Sequence, residues 1–145
     1  MQTFEIVSLN ISKKKGMPKR PVERMLLVPD HGAQGDAHAG PWHRQVSLLA
    51  VEAIDAMRKK GAAVSSGDFA ENITTRGIEL ASLPVGARLR IGDALLEVTQ
   101  IGKECHKGCA IMQQVGDCIM PKQGIFAKVI SGGEITNASA GTYGF

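Results

Sequence analysis

A chain of 145 residues, 43% hydrophobic and 21% charged, is long enough to bury a core and too apolar to be disordered. No apolar run approaches the roughly 18 residues that cross a bilayer. The net charge of +3 suits a small anionic ligand but is too weak to argue for nucleic acid.

The opening stretch MQTFEIVSLNISKKKG puts its basic residues after the apolar ones and offers no small-residue cleavage site, unlike a signal peptide. A cytoplasmic location and no membrane partner are therefore expected. Three cysteines are an odd number, which disfavours a disulfide framework and leaves free thiols or a metal site.

The first strand is expected over Phe4 to Ile11, with Val7, Leu9 and Ile11 on one face. The segment KKKGMPKR, from Lys13 to Arg20, reads as a basic loop. Val22 to Val28 reads as a second strand, His31 to His43 as a glycine-rich loop, and Gln45 to Leu49 as a buried strand. The clearest helix is Val51 to Lys60. Val51, Ile54 and Met57 share one side, Asp55 and Lys59 can pair on the other, and Gly61 can end it. Further strands are expected at Asn72 to Thr75, at ARLRIG and ALLEVTQI with Gly92-Asp93 as a tight hairpin turn between them, and at GIFAKVI. Gly132-Gly133 then turns the chain into a short last strand, and the tail TNASAGTYGF is assigned no role. The expected fold is mainly β (α+β): one domain over residues 1–145, a partly closed β-barrel of about seven or eight short strands with a few helices.

Cys105 is the first candidate for chemistry. It follows ALLEVTQI after a short turn, and the stretch beyond it could start a helix. A helix N-terminus with Lys103, His106 and Lys107 nearby favours the thiolate, which is nucleophilic and metal-ligating. The alternative is a buried cysteine acting as a small apolar residue. Cys105, Cys109 and Cys118 could together hold zinc or an iron–sulfur cluster, although their spacing fits no standard pattern. The loop HGAQGDAHAGPWHRQ offers Asp36, His38, His43, Arg44 and Gln45 to a ligand, or it is a surface loop whose Asp36 caps a turn. Asn72 and Arg76 suit phosphate or pterin recognition, unless Glu71 holds Arg76 in a structural pair. Lys13, Lys14, Lys15, Lys19 and Arg20 form either a solvated surface or an anion-binding loop. No nucleotide-loop or standard hydrolase motif is present.

In order along the chain, GDAHAGPWHRQVSLL, GDFAENITTRGI, LPVGARLRIGDALLEVTQIGKECHKGC and MPKQGIFAKVISGGEI resemble the MOSC domain, the family named for the C-terminal domain of molybdenum cofactor sulfurases. The resemblance runs roughly from Phe4 to Ile135. It implies a β-barrel-rich fold and a cysteine at the position of Cys105 that carries sulfur as a persulfide or ligates molybdenum. Where larger relatives have Pro-Cys, this chain has Glu104-Cys105, and its Cys-His-x2-Cys form is similar to a compact bacterial subset.

The resemblance implies a module that binds the molybdenum cofactor. Cys105 would be its sulfur carrier or metal ligand, and Lys13, Lys15, His38, Arg44, Asn72 and Arg76 would hold the anionic pterin. Nothing in the sequence resembles a pyridoxal-phosphate cysteine desulfurase, so sulfur would come from a partner such as a cysteine desulfurase; a cofactor-biosynthesis protein or a molybdoenzyme is the other partner the resemblance implies. Two alternatives accompany this reading. One is a cofactor-dependent reductase of N-hydroxylated compounds. The other is a non-catalytic partner in cofactor assembly.

Overall fold

The first strand carries the irregularity on which the site depends. In the computed structural model, which describes residues 2–15, 17–102 and 123–144, β1 runs Gln2–Ile11. Phe4, Ile6 and Leu9 all face the main core. Ile6 and Leu9 are three residues apart, whereas a regular strand returns to one face every second residue. The difference is a bulge: pairing with β6 (Ile73–Arg76) shifts register between Ile6 and Ser8, so one extra residue is accommodated there. Of the expected face, Leu9 and Ile11 do contact the core, while Val7 gives way to Phe4 and Ile6. Beyond the bulge, buried Ser8, Asn10 and Ser12 alternate with these apolar residues and line the opposite side.

Seven strands close into a barrel. Their order is β11 (Gly141–Gly144), β7 (Arg88–Ile91), β8 (Ala94–Ile101), β9 (Ile125–Ser131), β5 (Val46–Ala50), β6 and β1, with β11 also pairing β1. Only β5 and β6 run parallel. Parallel neighbours need a crossover, and helix α1 (Val51–Lys59) lies on it. An eighth strand, β2 (Arg20–Val22), extends the sheet along β1. A second sheet of β10 (Gly133–Thr136), β3 (Arg24–Val28) and β4 (Gly32–Ala33) contributes Met25, Leu27, Ala33 and Ile135 to the same core.

The expected strand Val22 to Val28 is therefore two strands in two sheets. Val22 packs against the core, and so do Met25 and Leu27. Residues an odd number apart cannot share a face of one unbroken strand, so the chain bends at Glu23. Pro21 sits opposite Asn10 on the outer strand, a position where a missing N–H is tolerated.

The tail also differs from expectation. Gly141–Gly144 is the strand that shuts the barrel, pairing β7 on one side and β1 on the other. A Cβ at Gly141 would lie 2.6 Å from the Phe4 ring, so this close approach requires glycine. Four residues rich in glycine carry no visible alternation, so the sequence pattern marks no strand there.

The hairpin at Gly92-Asp93 is as expected. Ile91 pairs Ala94, and Gly92 takes φ +56° at the first central position, where glycine is favoured. Helix α1 buries Val51, Ile54 and Met57. It ends in a Schellman motif, with Gly61 N–H donating to Arg58 O (3.0 Å) and Ala62 N–H to Met57 O (3.2 Å). Asp55 pairs with Arg58 at 2.7 Å rather than with Lys59, because Arg58 is also anchored through Nε on Val64 O (2.7 Å). The helix and the residues after it cover Leu49 and Phe126 outside the barrel, forming a small second core with Phe69.

Candidate functional site

Where β1 ends, the 31–43 loop comes alongside, and Ala37 N–H donates to Ser12 O at 2.7 Å. Asp36 is the centre of this junction. Its Oδ1 accepts from Lys19 Nζ (2.7 Å) and from Ser12 N–H (3.0 Å), and its Oδ2 accepts from His38 N–H (3.2 Å). Asp36 thus caps the turn, and it also forms an ion pair with Lys19 in which both side chains are fully buried. Burial pushes the Asp36 carboxyl up. The Lys19 bond and charge, the Ser12 amide and the Asn72 amide outweigh it and hold the group below the usual carboxylate range.

Lys19 is therefore turned inward, apart from the other cations of the basic loop. Its backbone is pressed against Gly67: Lys19 N–H donates to Gly67 O at 2.8 Å. A Cβ on Gly67 would stand 2.1 Å from Lys19 O. Lys19 Nζ also lies 2.9 Å from His38 Nδ1. An ammonium can only donate, so Nδ1 accepts and the ring hydrogen sits on Nε2.

A second polar network joins β1, β5 and β6. Asn72 is fully buried. Its Oδ1 accepts from Ser47 N–H (3.0 Å) and Oγ (3.2 Å), and its Nδ2 donates to Asn10 O (3.2 Å). Asn10 Nδ2 reaches Glu71 O and Thr74 Oγ1, both at 3.2 Å. Thr74 Oγ1 in turn donates to Glu71 Oε2 at 2.7 Å. The other Glu71 oxygen, Oε1, has no well-formed hydrogen bond. Burial raises the Glu71 carboxyl above its ordinary range, opposed by the Gly67 amide, the Thr74 hydroxyl and the amides of Glu71 and Phe69. Glu71 does not hold Arg76. Arg76 stands at the far end of β6, 3.7 Å from Glu5, away from the other candidates.

A third group links the loop to the end of β8. Gln100 Oε1 accepts from Arg44 Nε at 3.1 Å and faces His43 Nε2 at 2.9 Å, while its Nε2 donates to Gly102 O at 2.8 Å. An amide oxygen can only accept, so His43 also carries its hydrogen on Nε2. The Arg44 guanidinium lies over the Phe126 ring at 5.1 Å. Thr99 Oγ1 donates to His43 O. Trp42 meets His43 edge-on, donates Nε1–H to His38 O (2.8 Å) and receives Lys15 Nζ 5.7 Å from its ring. Lys15, His38 and Arg44 thus join one contact chain ending at Gly102. Lys13 is exposed in the same basic loop. Gln100 and Trp42 carry no spacing signal; Gln100 is 56 residues from Arg44.

Cys105, Cys109, Cys118 and the helix expected after Cys105 lie outside the described residues. Among the described residues, no three His, Cys, Asp or Glu side chains converge to hold a metal ion, and no helix is long and apolar enough to cross a membrane.

A family model, MOSC domain, matches residues 34–137. The chain belongs to the MOSC domain family. That family is generally associated with molybdenum cofactor sulfurases and with binding of the cofactor. The fold of this MOSC domain is similar to the YUAD protein from Bacillus subtilis, with a TM-score of 0.82 and 17% identity over 99% of this chain and 97% of that one. It is also similar to YiiM from Geobacillus stearothermophilus (TM-score 0.73, 21% identity, 98% and 75% covered). YiiM from Escherichia coli gives 0.71 and 16% identity over 100% and 71%. At these identities the likeness speaks for the fold alone. A search of curated proteins found no match.

Proposed function

We propose that this MOSC domain binds the molybdenum cofactor and uses Cys105 to carry sulfur to it or to ligate its metal. The observation that carries the reading is the contact chain from Lys15 through Trp42, His38, His43, Arg44 and Gln100 to Gly102. Cys105 follows three residues later, a tether of at most about 11 Å.

The residues fit the organic part of such a cofactor. Lys13 and Lys15 are exposed ammoniums able to meet a phosphate. Arg44 commits Nε to Gln100, and its two terminal amines have no partner among the described residues, so the fork is free for an anion. His38 is oriented beside them by Lys19 and Asp36. Asn72 is spent inside the protein and braces β1 against β5. When bound, the cofactor would supply the metal chemistry, and a soft thiolate suits that metal. The protein's own part is to position the anion, orient donors around it and present the thiol.

Molybdenum and pterin analysis of protein loaded with the cofactor tests this. Wild type should retain both. Arg44→Ala and the double variant Lys13→Ala/Lys15→Ala should weaken retention by about tenfold each, roughly 1.4 kcal/mol. Cys105→Ser should lose the metal, or lose an added sulfur seen as about 32 mass units on the intact chain. Unchanged loading and mass behaviour in Cys105→Ser would remove that residue from the role. An electron donor and an N-hydroxylated substrate added to loaded protein separate carrier from reductase.

A further inference from the structure

The β1–β2 ribbon has two faces, and the site above uses only one of them. Asn10 faces the buried polar network, whereas Leu9 and Ile11 alternate to the other side. At the end of this ribbon, beside both Ile11 and Ser12, lies a concave cavity of about 510 Å³, within the range of small-molecule sites. Its apolar wall includes Ile11, Met17 and Val22, and its cations are Lys13, Lys14 and Arg20. Arg20 sits directly opposite Ile11 in the register. None of the lining residues is acidic. Among the described residues, no carboxylate pairs with any of the three cations. Met17 is 54% exposed, so its side chain is open to a ligand in the cavity.

The geometry points to a second ligand site here, for a soluble amphipathic anion: an apolar body against Ile11, Met17 and Val22, with a phosphate or carboxylate at Lys14 and Arg20. Two features select that class. An apolar wall gains from every methylene it removes from water but cannot choose a charge. Three cations without a carboxylate prefer an anion and oppose a cation. A concave site, rather than a flat basic face, favours a single molecule over a bilayer. Lys13 borders this cavity and also belongs to the cofactor reading, so the two sites are adjacent; Ile11, Lys14, Met17, Arg20 and Val22 belong to the second alone.

Octyl phosphate, octanol and octyltrimethylammonium are the probes, the two ionic compounds kept below the concentration at which they form micelles and octanol below its solubility limit. They are titrated into the full chain while the methyl signals of Ile11, Met17 and Val22 are followed by NMR. Octyl phosphate should bind saturably at one site, with Kd of about 0.1–1 mM, and shift those three signals. Octanol should bind about tenfold more weakly and the ammonium compound weaker still. Lys14→Glu/Arg20→Glu should weaken octyl phosphate about tenfold, and Met17→Asp should do the same from the apolar side, with both variants folded by circular dichroism. Equal affinity for octanol and octyl phosphate would overturn the proposal. So would binding only to vesicles containing phosphatidylglycerol, or shifts confined to other residues. These variants should leave cofactor retention unchanged, while Arg44→Ala should lower retention and leave octyl phosphate binding intact. Each reading can therefore fail without the other.

Discussion

Lys19 Nζ stands 2.9 Å from His38 Nδ1 and 2.7 Å from Asp36 Oδ1, so one buried ammonium holds both a carboxylate and an imidazole. This relation makes His38 a donor through Nε2. Nitrogen NMR at pH 7 should therefore show the neutral His38 ring in the Nε2–H form alone. In Lys19→Met, where the ammonium is gone, the two tautomers should mix. A wild-type ring with its hydrogen on Nδ1 would contradict the arrangement.

The same ion pair should dominate local stability. Removing one partner of a buried pair strands the other charge and typically costs about 3–5 kcal/mol. Lys19→Met and Asp36→Asn should each destabilise by an amount of that order in urea unfolding. The double variant should cost less than the sum, because neither charge is left alone. The pH dependence has a definite sign. The folded Asp36 carboxyl is held below its ordinary value. Its contribution is complete above the usual carboxylate range, near 3.9, and is lost as pH falls through the depressed folded value. Asp36→Asn should flatten that acid limb.

Glu71 runs the opposite way. Its folded carboxyl is raised by burial, so the favourable contribution belongs to the protonated acid. That contribution is fully present below the ordinary glutamate range, near 4.3, and is lost as pH rises through the folded value. Glu71→Gln keeps an acceptor for Thr74 and removes the ionisable group with the orphaned Oε1. It should stabilise the protein at pH 8 by roughly 1 kcal/mol and have little effect at pH 4. Urea midpoints at the two pH values measure the difference, and equal effects at both would exclude the ionisation as its cause.

The contrast between Asp36 and Glu71 shows what could be read from the chain alone. Strands and the helix were legible because Leu89 and Ile91, or Val51, Ile54 and Met57, repeat with the period of their element. The bulge in β1 was not, since an extra residue leaves the composition unchanged and only the partner strand exposes it. Lys19 is indistinguishable from its basic neighbours in the sequence, because a charge run carries no sign of which side chain turns inward. Its partner Asp36 is 17 residues away. Gly141 was silent for a similar reason: its meaning lies in the Phe4 ring at the other end of the chain.

Closure of the barrel at that contact can be tested directly. A methyl at Gly141 would meet Phe4 ring atoms at 2.6 Å, and Phe4 is itself buried against Tyr143 and the core. Overpacking of this kind costs about 1–3 kcal/mol. Gly141→Ala should lower the unfolding midpoint accordingly. Phe4→Leu alone should also destabilise, but Gly141→Ala in that background should cost clearly less than in wild type, because the smaller side chain makes room. Additive losses would place the strain elsewhere.

Gln100 offers the sharpest test of how the loop is tied to the strand leading toward Cys105. Its oxygen serves His43 and Arg44 while its nitrogen serves Gly102, so the two halves of one amide join two chain segments. Gln100→Leu removes both halves; Gln100→Glu keeps the acceptor and loses the donor to Gly102. In the proposed function, the leucine variant should weaken cofactor retention by about tenfold, because Arg44 loses the partner that holds its fork in place. The glutamate variant should keep Arg44 in position and retain the cofactor better than the leucine variant. Both should stay folded, with stability losses of about 1 kcal/mol for the missing hydrogen bonds. Alkylation rates of the thiol at Cys105, read by peptide mass, should change in both, since each frees the Gly102 carbonyl. If Gln100→Leu retains cofactor like wild type and its thiol reacts at the wild-type rate, the amide only packs, and the contact chain from Lys15 to Gly102 is not the path that organises the site.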